Sequence, residues 1–302
     1  MRTLCESRLS AGRTSAEGST AWVSSSRRTT RGYPPVTTRR SVPVPAGAER
    51  IDLRTDDDVR IAGVHVPGPG DTALLVVHGF AGSWSQERVS VIVERLAVRA
   101  PVIAIDQRGH GQSEGMTTIG HREPLDVEAA SVWARERGYA RVVTIGFSMG
   151  SAVALRHAAL RPRSEGHAGA DAVVAVSGPA FWYYRGTPPM RWLHRGIASA
   201  AGRAYIRTAL GARVDPRPWP DPPPMSPTEA ASRITEMGVP LLIVHGDADA
   251  FFPIDHPVAL HEAAPGSELW LEEGFGHAEG AIGADLVDRI GTWATGKPPY
   301  AS

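Results

Sequence analysis

The chain has 302 residues, 42% hydrophobic and 21% charged, enough to bury a sizeable core, which excludes a wholly disordered, collagen-like or coiled-coil protein. Lys+Arg and Asp+Glu balance at 32 each, so the broad basic field of a dedicated nucleic-acid binder is missing, and no run approaches the roughly 18 apolar residues of a membrane span. Cys5 is the single cysteine, which leaves no intrachain disulfide or cysteine-built zinc site and is compatible with a reducing, cytoplasmic location.

Residues 1–48 are rich in Ser, Thr and Arg, with eight Arg against Glu6 and Glu17 and no apolar periodicity. They are expected to form a disordered extension; a targeting peptide or basic arm is the sharper alternative, but the apolar h-region of a secretory signal is missing. From Glu49 the pattern changes. Segments 49–54 and 59–66 alternate apolar and polar residues around Asp56-Asp57-Asp58, as a hairpin does. Short apolar runs follow at 73–77, 101–105, 142–145, 172–176 and 241–244, and a further strand is read at 268–271. The apolar runs suit parallel strands covered on both faces. Helical stripes lie between them: Val89, Ile92, Val93 and Leu96; Leu125, Ala129, Val132 and Trp133 before Gly138; and, near the end, Ile282, Leu286, Ile290 and Trp293. The succession predicts an α/β fold with a doubly wound, mostly parallel sheet over 49–178 and 239–302. Residues 179–238 break the alternation with aromatic clusters and the proline-rich segment Pro216 to Pro224. A structureless loop of that length is rare in a compact domain, so an inserted helical lid is expected.

Two G-x-S-x-G matches compete, a motif that chance alone puts in roughly a quarter of chains of this composition. Context separates Gly146-Phe147-Ser148-Met149-Gly150 from Gly111-Gln112-Ser113-Glu114-Gly115. A nucleophile elbow needs a strand running straight into a helix, so that the turn lifts the serine hydroxyl above the sheet. Ser148 has an apolar strand before it and small helix-forming residues after it, whereas Ser113 sits in a loop. A helix start at Ser148 also aims free N–H groups at the reacting centre, which makes the Met149 amide one oxyanion donor. The turn Val76-Val77-His78-Gly79-Phe80 supplies the other, the Phe80 amide. The Phe80 side chain reads as wall and His78 as structural.

A serine hydroxyl needs a neutral imidazole to take its proton and a carboxylate to fix that imidazole's tautomer. In this topology both follow the serine, on loops at the carboxyl ends of later strands. Among eleven histidines, His277 stands after the strand at 268–271. Asp249 stands after the strand at 241–244, with Asp247 as a rival that could instead bond loop amides.

With these residues in place the sequence resembles the α/β-hydrolase superfamily, in particular its lid-bearing serine esterases and lipase-like members. The likeness rests on His78-Gly79-Phe80, Asp106-Gln107-Arg108-Gly109-His110-Gly111-Gln112-Ser113, Gly146-Phe147-Ser148-Met149-Gly150, His245-Gly246 with Asp249 and Pro253, and Gly276-His277, and covers about residues 50–296 outside the lid. It implies Ser148 as nucleophile, His277 as base, Asp249 as acid and the Phe80 and Met149 amides as oxyanion hole. A serine at 148 argues against the dehalogenase and epoxide-hydrolase branches, whose nucleophile is a carboxylate.

No H-E-x-x-H, Walker or Rossmann pattern is present, and His256 and His261 do not share a helix face, so neither cofactor nor metal is expected. Arg191, Arg195, Arg203 and Arg207 could receive an anionic group or form a solvated surface. The expectation is a serine hydrolase of carboxylic esters or thioesters, with a small acyl-ester substrate. An acyltransferase, a peptidase or carbon–carbon hydrolase, and a non-catalytic binding protein on the same fold are the alternatives.

Overall fold

Strand runs that are apolar on both faces demand cover on both sides, and the sheet has it. The structure, a computed structural model, describes Pro45 and residues 47–296; the extension expected over 1–48 lies outside the described residues apart from Pro45, Gly47 and Ala48. Eight strands form one sheet: β1 (Glu49–Arg54), β2 (Arg60–Val66), β3 (Thr72–Val77), β4 (Val102–Ile105), β5 (Arg141–Phe147), β6 (Ala172–Val176), β7 (Leu241–Gly246) and β8 (Glu268–Glu272), in the order β1-β2-β4-β3-β5-β6-β7-β8. β1 and β2 pair antiparallel around the Asp56-Asp57-Asp58 turn, β2 meets β4 antiparallel, and every pair from β4 to β8 is parallel.

The period-2 alternation of a strand sends neighbouring side chains to opposite faces. In β3, Leu74 and Val76 face a core built with α1 (Glu87–Ala97) and α8 (Ala284–Thr295), through Val89, Ile92, Val93, Leu96, Leu286 and Ile290. Ala73, Leu75 and Val77 face the other side, where α2 (Pro124–Glu136) lies. Along that same side α3 (Met149–Leu160), α6 (Pro227–Glu236) and α7 (Asp255–Ala263) cover β6 and β7. Chain order reverses at β3: the connection through α1 leads to β4 on one side, and that through α2 returns to β5 on the other. Crevices for ligands open at such reversals, outside the carboxyl ends of the strands. The turn after β3 and Ser148 after β5 both lie there.

One expectation needs correction. The α2 helix buries Val127, Ala130, Ser131 and Ala134 with Asp126 and Glu128, whereas Val132 is exposed and Leu125, Ala129 and Trp133 are only half-buried. Its inward face carries charge because each charge has a partner: Asp126 accepts from the Arg108 guanidinium at 2.8 Å, and Glu128 pairs with His157 at 2.7 Å. Residues 179–238 divide into two parts. α4 (Pro188–Ala198), α5 (Ala200–Tyr205) and a π-helical turn at Ile206–Leu210 stand apart from the sheet layers. α6, in contrast, packs Ala230, Ala231 and Ile234 against Ala154, Leu155 and Ala158 of α3 as part of the main core. A capping box of Ser226 and Glu229, with Pro227 at the first helical position, starts it.

Candidate active site

The β5–α3 junction is a strained elbow. Ser148 adopts φ +52° and ψ −116°, outside the conformations that a side chain tolerates easily. Close packing on both sides maintains it: a Cβ at Gly146 would come within 2.2 Å of the Gly150 carbonyl oxygen, and one at Gly150 within 2.2 Å of the Val77 carbonyl oxygen. The Ser148 amide donates to the Val176 carbonyl at 2.9 Å, which ties the elbow to β6.

Three side chains from separate loops meet above it. His277 Nε2 lies 2.9 Å from Ser148 Oγ, and His277 Nδ1 lies 2.7 Å from Asp249 Oδ2. Asp249 is fully buried at its side chain, and its other oxygen, Oδ1, accepts from the Phe251 and Phe252 amides at 2.7 and 3.0 Å. That grip turns Oδ2 towards the ring, so Nδ1 carries the proton and Nε2 presents a lone pair to the Ser148 hydroxyl. The Phe251 ring stacks on His277 with centroids 4.3 Å apart, and the Ala278 amide donates to Ser177 Oγ at 3.0 Å, fixing the histidine loop against the end of β6. The rival acid does something else: exposed Asp247 accepts from the Gly274 amide at 2.7 Å and so closes the turn after β8. Ser113 is buried, accepts from the Ala62 amide at 2.8 Å and donates to the Asp106 carbonyl, which leaves it no role at the elbow.

The turn after β3 runs past the serine. A Cβ on Gly79 would stand 3.1 Å from Ser148 Cβ, and neither the Phe80 nor the Met149 amide has an acceptor among the described residues. The Phe80 side chain packs against the cluster of Ile206, Ala212 and Val214, as do Ile119, Ile197 of α4 and Leu210. The segment that carries α4 and α5 is tied to the core: Thr187 Oγ1 donates to the Phe251 carbonyl at 2.8 Å, and Trp219, in edge contact with Trp182, donates Nε1–H to the Thr118 carbonyl at 2.6 Å. One residue that sequence reasoning missed stands here. Glu279, buried in the 3₁₀ turn after His277, accepts from the Gly79 amide at 2.6 Å. Nothing in the sequence separates it from a surface acid, because its partner lies 200 residues away.

Buried histidines surround the site in neutral form. His78 donates Nδ1–H to the Gly79 carbonyl and accepts the Gln107 amide at Nε2. Desolvation lowers His78 from 6.5 to about 4, His110 to about 3 and His256, which accepts the Ala180 amide, to about 4. The unfolded chain binds these protons near pH 6.5 and the folded chain resists them. The stability they contribute is therefore present above pH 6.5 and is lost as the pH falls towards 4. Urea midpoints should drop steeply between pH 6.5 and 4.5; midpoints unchanged over that window would contradict the neutral assignment.

Residues 72–182 match the family model described as alpha/beta hydrolase fold. Among solved structures, the chain is similar to the esterase Pf2001 of Pyrococcus furiosus at 23% identity and a TM-score of 0.59, covering 82% of this chain and 91% of that one. It is also similar to the esterase RhEst1 of Rhodococcus sp. ECU1013, at 18% identity, a TM-score of 0.59 and coverage of 82% and 98%. Est1E of Butyrivibrio proteoclasticus, solved with ferulic acid bound, matches at 17% identity, a TM-score of 0.53 and coverage of 81% and 96%.

Proposed function

We propose that this chain, whose fold is that of the alpha/beta hydrolases, is a serine hydrolase which cleaves carboxylic esters or thioesters through an acyl-enzyme on Ser148. The observation that carries this reading is the continuous hydrogen-bonded line from Asp249 through His277 to Ser148 Oγ, anchored at the strained elbow. Binding alone would need no base beside a half-buried hydroxyl. Neighbours named as esterases support an ester as the scissile bond.

In the proposed cycle His277 removes the hydroxyl proton as Ser148 Oγ attacks the acyl carbon. The oxyanion that forms accepts from the Phe80 and Met149 amides, while Asp249 stays ionised and holds the imidazolium. Collapse expels the alcohol or thiol, which takes the proton from His277. A water deprotonated by the same ring then attacks the acyl-enzyme, and the carboxylic acid leaves as Ser148 recovers its proton.

The helices between β6 and α6 act in this proposal as a lid whose apolar underside, with Phe80, Ile197 and Leu210, receives a medium or long acyl chain. Each methylene buried there gains about 0.8 kcal/mol, close to fourfold in kcat/KM. A panel of acyl esters and thioesters of increasing length should show that rise, with Ser148→Ala as the control; a profile flat across acyl length would defeat the acyl-chain preference.

Glu279 positions the turn that carries the Phe80 amide. Glu279→Ala should lower kcat ten- to a hundredfold, about the effect of misplacing a catalytic donor, with KM nearly unchanged. Glu279→Gln keeps the accepting oxygen and should retain most of the rate. A glutamine variant as impaired as the alanine variant would exclude this role.

A further inference from the structure

The charges of the chain balance overall but not locally. Between Ala172 and Val214 there is no Asp or Glu, while Arg185, Arg191, Arg195, Arg203, Arg207 and Arg213 all fall in this stretch. Elsewhere most arginines form ion pairs, such as Arg60 with Asp52, Arg135 with Asp171 and Arg289 with Glu272. Among the described residues none of these six has an acidic partner; Arg191 and Arg203 bond only backbone carbonyls. Excess positive charge is thus concentrated on α4, α5 and the residues that flank them.

Their aromatic residues follow the same division. Helical periodicity turns Met190, Leu193, His194 and Ile197 of α4 inward, where they are buried or half-buried, and turns Arg191, Trp192 and Arg195 outward. Trp192 is 69% exposed with the Arg195 guanidinium over its ring, and Tyr205 of α5 is 65% exposed. A solvated basic surface has no use for an exposed indole. Arginines interleaved with Trp and Tyr on the outer side of an amphipathic helix match the headgroup region of a bilayer, where the cations meet anionic lipid and the rings enter the interface.

We propose that the outer face of α4 and α5 is a docking surface for an anionic lipid bilayer, centred on Arg191, Trp192 and Arg195. On the opposite side, Ile197 of α4 and Ile206, directly after α5, belong to the same apolar cluster as Phe80, the residue after Gly79, which lies against Ser148. Docking therefore sets the elbow one helical layer from the bilayer. No helix among the described residues is long and apolar enough to cross a membrane, so the attachment is peripheral.

The test is co-sedimentation of the full chain with phosphatidylcholine vesicles, with and without phosphatidylglycerol. Residues 1–48 carry eight arginines of their own, so the decisive reading is the response to substitutions on α4. Binding should need phosphatidylglycerol and fall about 30-fold in Arg191→Ala/Arg195→Ala, corresponding to roughly 1 kcal/mol per arginine near the surface. Trp192→Ala should weaken it several-fold at the same charge, and Arg88→Ala, an exposed change on α1, should leave it unchanged. Hydrolysis of a short water-soluble ester should be equal in all four proteins, which separates this result from the catalytic reading. Binding insensitive to the α4 substitutions, equal binding to neutral vesicles or no binding would overturn the proposal. So would tighter capture by a polyuridylate matrix that depends on the same arginines, because the face would then serve nucleic acid.

Discussion

Ser148→Ala is expected to lower turnover by about four to six orders of magnitude while leaving the fold intact. The substitution removes the one oxygen that His277 Nε2 faces at 2.9 Å and touches little else. The amide of residue 148 still donates to Val176, and the close contacts of Gly146 and Gly150 still impose the elbow. The rate that survives comes from substrate binding and the two oxyanion amides, with no covalent step. The unfolding transition of the variant should match that of the parent, so the loss can be assigned to chemistry. A variant retaining a tenth of the parent rate would remove Ser148 from the reaction.

Asp249→Asn is expected to cost about four orders of magnitude in kcat, with substrate binding largely preserved. The reason lies in the loop amides. Phe251 and Phe252 donate to Oδ1, so an asparagine must keep its carbonyl oxygen there and turn its NH₂ towards His277 Nδ1. The ring then accepts at Nδ1 and carries its proton on Nε2, facing Ser148 with a donor where an acceptor is required. The geometry survives and the tautomer is wrong. The rival acid supplies the comparison: Asp247→Asn alters only the bond to the Gly274 amide and should leave turnover within a fewfold of the parent. If Asp247→Asn were the more damaging change, the roles given to the two carboxylates would have to be exchanged.

The sequence exposes most of the sheet, because strands covered on both faces must be apolar throughout, and runs such as Ala73 to Val77 and Ala172 to Val176 fit no other element of that length. It also marks the elbow, since only a strand followed at once by small residues can make so tight a turn. What it conceals is burial made possible by pairing. The inward face of α2 carries Asp126 and Glu128, whose partners Arg108 and His157 lie 18 and 29 residues away, so a reading based on hydrophobicity selects the wrong stripe. Glu279 is hidden for the same reason. The packing of α6 on α3 is hard to read for another: Pro216 to Pro224 makes the stretch before it irregular, and the short apolar face of α6 is mostly alanine. The capping pair Ser226 and Glu229 was the local sign that a core helix begins there.

At the centre of this account is an activated hydroxyl at one residue. A fluorophosphonate probe, followed by mass mapping of the folded protein, measures that directly. A single adduct is expected on Ser148, abolished in Asp249→Asn as well as in Ser148→Ala. No adduct on the folded parent, or an adduct at another serine, would contradict it.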